Sequence, residues 1–300
     1  TYASDALRAA VDMSVRFMSE RHLPDKAIGL IDQAAARVRR RGGTEVDLQA
    51  VAEVVSEHAG VSVERLTMRD GDALMALEAH LQQRVIGQPL PIAAIADALR
   101  KGAAGFRGAR PLGTFLFLGP TGVGKTEMAK AISDLLFPGQ TMTRIDMSDL
   151  SESHAVARLL GAPPGYVGHE EGGQLTEPVR GRPYQLILLD EVEKAHRDVL
   201  LALLPLLDEG RLTDGRGRCV DFRNTVVVMT SNLGAVTPEI RARVGFGAEA
   251  ESEQLRSSSL RALAAARAAL PPELWNRIDE PLYFQALDRE AVLQIAAGMV

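Results

Sequence analysis

The sequence predicts an α/β fold in which helices flank a five-stranded parallel sheet and a helical segment precedes it. From Gly113 onward, short apolar runs alternate with helix-like segments, a pattern typical of strands that are covered on both faces. The first run also leads directly into a glycine-rich sequence that a helix-like segment follows. The predicted strands are residues 114–118, 142–145, 186–189, 226–229 and 282–284.

Apolar residues repeat at three- and four-residue spacing through the first 80 residues, which predicts helices. One stripe begins at Leu7. A second follows Pro24, which suits the first turn of a helix because its missing N–H is not needed there. This second helix should end at Gly42 and Gly43, after arginines whose positive charge suits a helix carboxyl end.

Composition restricts the classes of function. The net charge of −5 gives no electrostatic reason to expect a nucleic-acid partner. No apolar run approaches the ~18 residues of a membrane span, so no membrane partner is expected. The single cysteine, Cys219, cannot form an internal disulfide, which favours a reducing, cytoplasmic setting. Because the chain starts with neither methionine nor a signal peptide, we expect a fragment or a processed chain.

The glycine-rich sequence after the first strand matches G-x-x-x-x-G-K-[ST], the P-loop, at every required position. Its residues are Gly119, Pro120, Thr121, Gly122, Val123, Gly124, Lys125 and Thr126. The backbone N–H groups of such a loop turn toward phosphates, and the following helix adds its positive amino-terminal end. Lys125 can reach the β- and γ-phosphates and the Thr126 hydroxyl can ligate Mg²⁺, so ATP and Mg²⁺ are the expected ligands.

Two carboxylates, Asp190 and Glu191, follow the strand at 186–189. Ligands of open α/β sheets bind at the carboxyl ends of the strands. Beside a P-loop, Asp190 is expected to hold Mg²⁺, directly or through water, and Glu191 to polarise the attacking water. Without the P-loop, an ordinary acidic loop would be the better interpretation.

A polar run, Thr230-Ser231-Asn232, follows the strand at 226–229. An amide at this place could hold the water or sense the γ-phosphate. A turn-forming Ser-Asn pair explains the same residues equally well. Spacing alone leaves both interpretations open.

Several long motifs resemble those of Clp-type AAA+ protein unfoldases: residues 161–168, 170–177, 190–196, 207–214 and 272–279. Residues 23–28 and 30–32 resemble the end of the family's first small domain, so the resemblance extends over nearly the whole chain. Val85 and Ile86, in Val85-Ile86-Gly87-Gln88, resemble the start of the family's second ATPase module, which contacts adenine. The chain is therefore identified as similar to a second AAA+ module.

The resemblance implies four regions. Residues 1–43 would be the helical end of a first module's small domain and residues 44–80 a helical connector. Residues 81–287 would form the large, nucleotide-binding subdomain of the second module, and residues 288–300 the start of a truncated carboxyl-terminal small domain.

The resemblance also implies residue roles in a homo-hexameric ring that threads unfolded or tagged protein through a central pore. Asn232 would sense the γ-phosphate, and Arg277 would enter the neighbouring subunit's site as an arginine finger. Tyr166, with Val167, would grip the substrate on the pore loop, because tyrosine offers a broad apolar face and a polar tip. Outside this context, Tyr166 would be better explained as a packed turn residue.

Val244, Gly245 and Phe246 resemble the tripeptide with which some unfoldases dock onto a ClpP-like peptidase. The chain shows no coiled-coil middle domain between its helical segment and the ATPase module, which favours this peptidase-linked branch. The alternative is that Val244 and Phe246 pack the loop onto the sheet around a glycine turn.

Two other functions share the nucleotide site. A stand-alone disaggregase would lack the peptidase partner, and a nucleic-acid remodeller would need a basic channel, which the net charge does not favour. A nucleotide-dependent scaffold with weak turnover is a further alternative, although intact Lys125, Asp190, Glu191 and Arg277 favour hydrolysis.

Overall fold

The computed structural model describes residues 1–18, 22–59, 63–67, 70–104, 108–163, 172–234 and 248–297. The helices of the first part are α1 (Ser4–Phe17), α2 (Asp25–Arg40), α3 (Leu48–Ala59), α4 (Val63–Thr67), α5 (Asp70–Arg84) and α6 (Pro89–Ala103). Those of the second part are α7 (Lys125–Leu136), α8 (Val156–Leu160), α9 (Thr176–Gly181), α10 (Arg197–Ala202), α11 (Leu204–Glu209), α12 (Ala248–Ala269), α13 (Pro272–Trp275) and α14 (Arg289–Ala297). No helix in these described ranges is long and apolar enough to cross a membrane.

Local sequence explains several helix ends. Helix α6 begins with Pro89, where the missing N–H costs nothing. Helix α2 carries three arginines in its last turn, and Gly42 follows with a left-handed φ of +80°. The predicted second helix is therefore confirmed.

A five-stranded sheet forms the centre of the fold. Its strands are β1 (Gly113–Leu118), β2 (Thr143–Asp146), β3 (Leu186–Asp190), β6 (Val226–Ser231) and β7 (Glu280–Tyr283). They lie in the order β2-β3-β6-β1-β7, and every pairing is parallel. The predicted fold class is confirmed, although β7 begins two residues before the predicted strand.

Both faces of this sheet are buried, because side chains of the central strands alternate between two hydrophobic clusters. One cluster joins helices α8 to α13 to the face that carries Leu116, Leu118, Ile187, Leu189, Val227 and Met229. The other joins α5, α6 and α7 to the face that carries Phe115, Phe117, Leu186, Leu188, Val226 and Val228. This double cover fixes the carboxyl ends of the strands, where the site residues lie.

Helices α1 to α4 share a separate hydrophobic cluster. Leu30 of α2 and Val51 of α3 are fully buried in it. The predicted boundary at residue 43 therefore falls between two helices that pack on one core, while the division into domains stays a prediction.

Strands β4 (Arg211–Thr213) and β5 (Cys219–Asp221) form a two-stranded antiparallel hairpin, which was not predicted from the sequence. Asp214 holds its turn by accepting backbone hydrogen bonds from Arg216 at 2.9 Å and Arg218 at 2.8 Å. Burial alone would raise the pKa of Asp214, but hydrogen bonds from Arg218 and Arg216 hold it below the usual value.

Candidate nucleotide site

The strand order brings three sequence motifs to one edge of the sheet. The P-loop follows β1, Asp190 ends β3, and Asn232 follows β6. Because β6 lies between β3 and β1, Asn232 lies between the P-loop and the two acids. This neighbourhood depends on the order of the strands, which the spacing of the motifs does not reveal.

The P-loop has the backbone conformation that its glycines permit. Gly119, Gly122 and Gly124 have φ of +142°, +81° and +98°. A Cβ on Gly119 would come within 2.4 Å of the Phe284 carbonyl oxygen, so a side chain is excluded there. Helix α7 begins directly after this loop at Lys125, which directs its positive amino-terminal end toward the loop.

The side chain of Lys125 is buried against the loop that it follows, with the residue only 8% exposed. Its Nζ donates to the carbonyl oxygens of Gly119, Pro120 (3.1 Å) and Ser231 (3.3 Å). Burial lowers the pKa of Lys125 to about 8, against the opposing attraction of the Glu193, Asp190 and Glu191 carboxylates. A bound phosphate would give the Lys125 ammonium a negatively charged hydrogen-bond acceptor, and such charge-assisted bonds are stronger than bonds to neutral oxygens.

Asn232 connects Lys125 to Glu191. Its Oδ1 accepts a 2.7 Å hydrogen bond from Lys125 Nζ, and its Nδ2 donates to Glu191 Oε1 at 3.0 Å. Its backbone N–H donates to Glu193 Oε1 at 3.0 Å. The side chain of Asn232, which follows β6, thus connects the P-loop lysine to the acid that follows β3.

Asp190 is held from two sides. Thr230 Oγ1 donates to its Oδ1, and Arg144 Nη2 lies 2.6 Å from its Oδ2. Together with the Thr126 hydroxyl, which lies in the first turn of α7, this carboxylate offers the oxygen ligands that Mg²⁺ prefers. Among the described residues, no group of three or more His, Cys, Asp or Glu side chains could hold a metal ion by itself.

Glu191 has a left-handed backbone, with φ of +57°. Lys194 Nζ contacts its second carboxylate oxygen, Oε2, at 2.5 Å. Four partners of the site were not predicted from the sequence: Thr230, Arg144, Lys194 and Glu193. Only the motif that contains Glu193 and Lys194 gave a local signal, because Thr230 and Arg144 meet their partners through the sheet.

Val85 lies beside the P-loop, since a Cβ on Gly124 would be 3.5 Å from Val85 Cγ1. Gln88, which is 1% exposed, fastens this segment by donating to the carbonyl oxygens of Val123 (3.2 Å) and Gln285 (2.9 Å). Ile86 is half-buried between Val85 and Gly87 in the chain. The position is compatible with the expected adenine contact, which stays a prediction.

Arg277 follows α13 and forms an ion pair with Asp208 of α11. Arg110 joins the same two elements by donating to the carbonyl oxygens of Arg277 (2.6 Å) and of Leu207 in α11 (3.0 Å). Within the described ranges, no hydrogen bond or ion pair joins Arg277 to the P-loop of its own chain.

Tyr166, Val167, Val244, Gly245 and Phe246 lie outside the described residues. The chain on either side of residues 164–171 is nevertheless described. The backbone N–H groups of Gln174 and Leu175 donate to the carbonyl oxygens of Arg158 (2.9 Å) and Leu159 (3.1 Å). The predicted pore loop thus connects two ends of chain that lie side by side.

Comparison with known proteins agrees with this geometry. A family profile described as "AAA domain (Cdc48 subfamily)" matches residues 110–281, the stretch that holds the P-loop, both acids and Asn232. The chain belongs to the AAA+ ATPases. A second profile, "AAA lid domain", matches residues 1–81. Nucleotide binding follows from membership of this family.

Curated relatives of this AAA+ chain are Clp proteins, which confirms the resemblance predicted from the motifs. The chain is 40% identical to "Chaperone protein ClpB" of Oceanobacillus iheyensis, over 100% of this chain and 45% of the relative. It is 37% identical to "ATP-dependent Clp protease ATP-binding subunit ClpC" of Staphylococcus aureus, over 99% and 44%. The chain thus spans less than half the length of these relatives.

Solved structures similar to this AAA+ chain include Hsp104. The S. cerevisiae Hsp104-ADP complex superposes with a TM-score of 0.86 at 37% identity, over 99% of this chain and 51% of that one. A closed state of Hsp104 with ATPyS and FITC casein gives a TM-score of 0.70 at 36% identity, over the same shares.

Proposed function

We propose that this chain is the ATP-hydrolysing module of a homo-hexameric ring that unfolds proteins. The observation that carries the proposal is the connection from Lys125 through Asn232 to Glu191. It joins a phosphate-binding cation to an acid that can activate water. Similarity to ClpB, ClpC and Hsp104 supports protein as the substrate of the ring.

In this proposal the P-loop binds the phosphates of ATP. Its backbone N–H groups and the start of α7 face the phosphate charge, and Lys125 donates to the β- and γ-phosphates. Among the described residues, the Lys125 ammonium donates only to neutral oxygens, and it can exchange them for charged phosphate oxygens. Val85 and Ile86 would contact adenine beside the loop.

Thr126 and Asp190 would hold Mg²⁺. The bound ion would neutralise phosphate charge and orient the phosphates. For Asp190 Oδ2 to serve as a ligand, the Arg144 guanidinium would have to leave its 2.6 Å contact. Arg144 is free to do so because its side chain is 56% exposed.

Glu191 would accept a proton from the attacking water. Asn232, which is hydrogen-bonded to Glu191, would sense the γ-phosphate. A γ-phosphate that takes over Lys125 and Asn232 would leave Glu191 with Lys194 alone, free to turn toward the water. Arg277 would exchange Asp208 for the phosphates of the neighbouring subunit and stabilise charge in the transition state. Each subunit would therefore complete the site of another.

Tyr166 and Val167 would grip the polypeptide in the pore. One similar Hsp104 structure is a closed state with ATPyS and FITC casein, which supports unfolded or tagged protein as the substrate of this ring. The cytoplasmic setting rests on the lone Cys219 and stays a prediction.

The names of the relatives support two uses of such a ring. ClpC is named as a subunit of a protease and ClpB as a chaperone. We favour docking of Val244, Gly245 and Phe246 onto a ClpP-like peptidase, because several weak apolar contacts from one ring would add up to strong binding. A stand-alone disaggregase is the alternative. The four regions expected of the chain are compatible with either function.

The deciding experiment measures steady-state ATP turnover of the intact protein with unfolded casein, with DNA, or with neither. Turnover should rise with casein and not with DNA. The Lys125→Ala variant should show no turnover in any mixture, which excludes a contaminating ATPase. Stimulation by DNA and not by casein would instead establish a nucleic-acid remodeller.

A further inference from the structure

We propose that Thr230 is a positioning residue that fixes both acids of the site through one hydroxyl. This inference rests on the proposed roles of Asp190 and Glu191. Thr230 is the fifth residue of β6 and is 1% exposed. It contacts the strand end next to it and needs no contact with nucleotide to act.

The neighbours of Thr230 determine which of its hydrogen bonds it donates and which it accepts. The backbone N–H of Glu191 can only donate, so Thr230 Oγ1 accepts it, at 3.1 Å. The single hydroxyl proton is then available for the Asp190 carboxylate, which can only accept. One side chain therefore determines both the orientation of the Asp190 carboxylate and the backbone position of Glu191.

Glu191 needs this support because of its backbone. Among the described residues it is the one non-glycine residue with a positive φ, at +57°. A residue with a Cβ keeps such a conformation only where its surroundings impose it. The Thr230 hydroxyl gives the Glu191 N–H its partner, while Asn232 and Lys194 hold the carboxylate itself.

A second buried threonine beside the same strand offers a matched control. Thr225 is 0% exposed and donates to the Phe222 carbonyl oxygen at 2.7 Å. It precedes β6, so it lies about 16 Å from Thr230 at ~3.3 Å per residue. Loss of its hydroxyl removes a buried hydrogen bond at the end of the strand away from the site.

The test compares Thr230→Val, Thr230→Ser and Thr225→Val in the intact protein. Calorimetry measures ATP affinity with Mg²⁺ and with excess EDTA, and a turnover assay separates kcat from KM. Thr230→Val should bind ATP with wild-type affinity in EDTA. The increase in ATP affinity on adding Mg²⁺ should be about tenfold smaller than in wild type. Its kcat should fall tenfold or more, since misplaced catalytic groups cost up to ~100-fold. Its KM for ATP in Mg²⁺ should rise with that lost affinity, by up to about tenfold, because KM approaches the dissociation constant when chemistry is slow.

Thr230→Ser keeps the hydroxyl and should restore both the Mg²⁺ dependence of ATP affinity and kcat to wild-type values. Thr225→Val should change neither of them. If Thr230→Val does not fold, Thr230→Ala carries the same test without the branched side chain. Wild-type kcat and Mg²⁺ dependence in the hydroxyl-free variant would overturn the proposal, as would an equal loss in Thr225→Val or no recovery in Thr230→Ser.

Glu191→Gln, measured in parallel, separates this inference from the function beneath it. Slow turnover by Glu191→Gln with normal Thr230→Val would overturn the Thr230 proposal alone. Wild-type turnover by Glu191→Gln would overturn the assignment of the acids and the Thr230 proposal with it.

Discussion

Burial of Lys125 predicts that ATP binding weakens in mildly alkaline solution. The pKa of this lysine is lowered to about 8, first by burial and in spite of the attraction of Glu193, Asp190 and Glu191. Phosphate charge favours the protonated form, so bound ATP should raise the pKa again. Binding above pH 8 must then take up a proton, which costs affinity.

The magnitude follows from the protonated fraction. With a pKa of about 8, that fraction is about 0.76 at pH 7.5 and about 0.09 at pH 9, so affinity should fall about eightfold between them. The effect of pH on folding stability has the opposite sign to its effect on ATP affinity. The unfolded lysine keeps its proton up to about pH 10.5, so the contribution of Lys125 to the free energy of unfolding should rise with pH between about 8 and 10.5.

Calorimetry in two buffers of different ionisation enthalpy measures both the affinity and the proton uptake. Lys125→Arg is the control, because its guanidinium stays charged throughout this range and its affinity should not depend on pH. Wild-type affinity that is constant from pH 7.5 to 9 without proton uptake would refute the lowered pKa. The same pH dependence in Lys125→Arg would assign it to another group.

Three further predictions concern turnover and partners. Glu191→Gln should bind ATP and Mg²⁺ but turn over at least about 100-fold more slowly, since water activation is lost; calorimetry and a phosphate-release assay check this, and a wild-type rate would contradict it. Arg277→Ala should lower turnover of the assembled ring about 1,000-fold or more while ATP affinity is kept, because the proposed finger would act across the subunit boundary. An equal loss of affinity would argue against that role. Phe246→Ala should reduce degradation with the cognate peptidase while unfolding without it persists, whereas intact degradation would favour the stand-alone disaggregase.

The fold and the first layer of the site could be predicted from sequence because their signals are local. Eight contiguous residues define the P-loop, and Asp190 and Glu191 directly follow an apolar strand. The function of Asn232 could not be decided from spacing, since its position between the P-loop and the acids depends on the order of β3, β6 and β1.

The supporting residues were missed for the same reason. Thr230 contacts Glu191 across 39 positions and Arg144 contacts Asp190 across 46, so only the paired strands bring them together. The hairpin of β4 and β5 was missed because its strands have three residues each, too few for an alternating pattern to stand out.

The central claim is that ATP hydrolysis at this site drives the unfolding of proteins. The most direct test follows, in one reaction, the loss of fluorescence of a tagged, folded fluorescent protein and the release of phosphate. We compare the intact protein with Tyr166→Ala and with Tyr166→Phe, which keeps the aromatic ring. Wild type and Tyr166→Phe should unfold the substrate in an ATP-dependent way, while Tyr166→Ala should hydrolyse ATP at a similar rate and leave the substrate folded. Wild-type hydrolysis without any unfolding, or normal unfolding by Tyr166→Ala, would contradict the claim that this loop transmits the force of hydrolysis to protein.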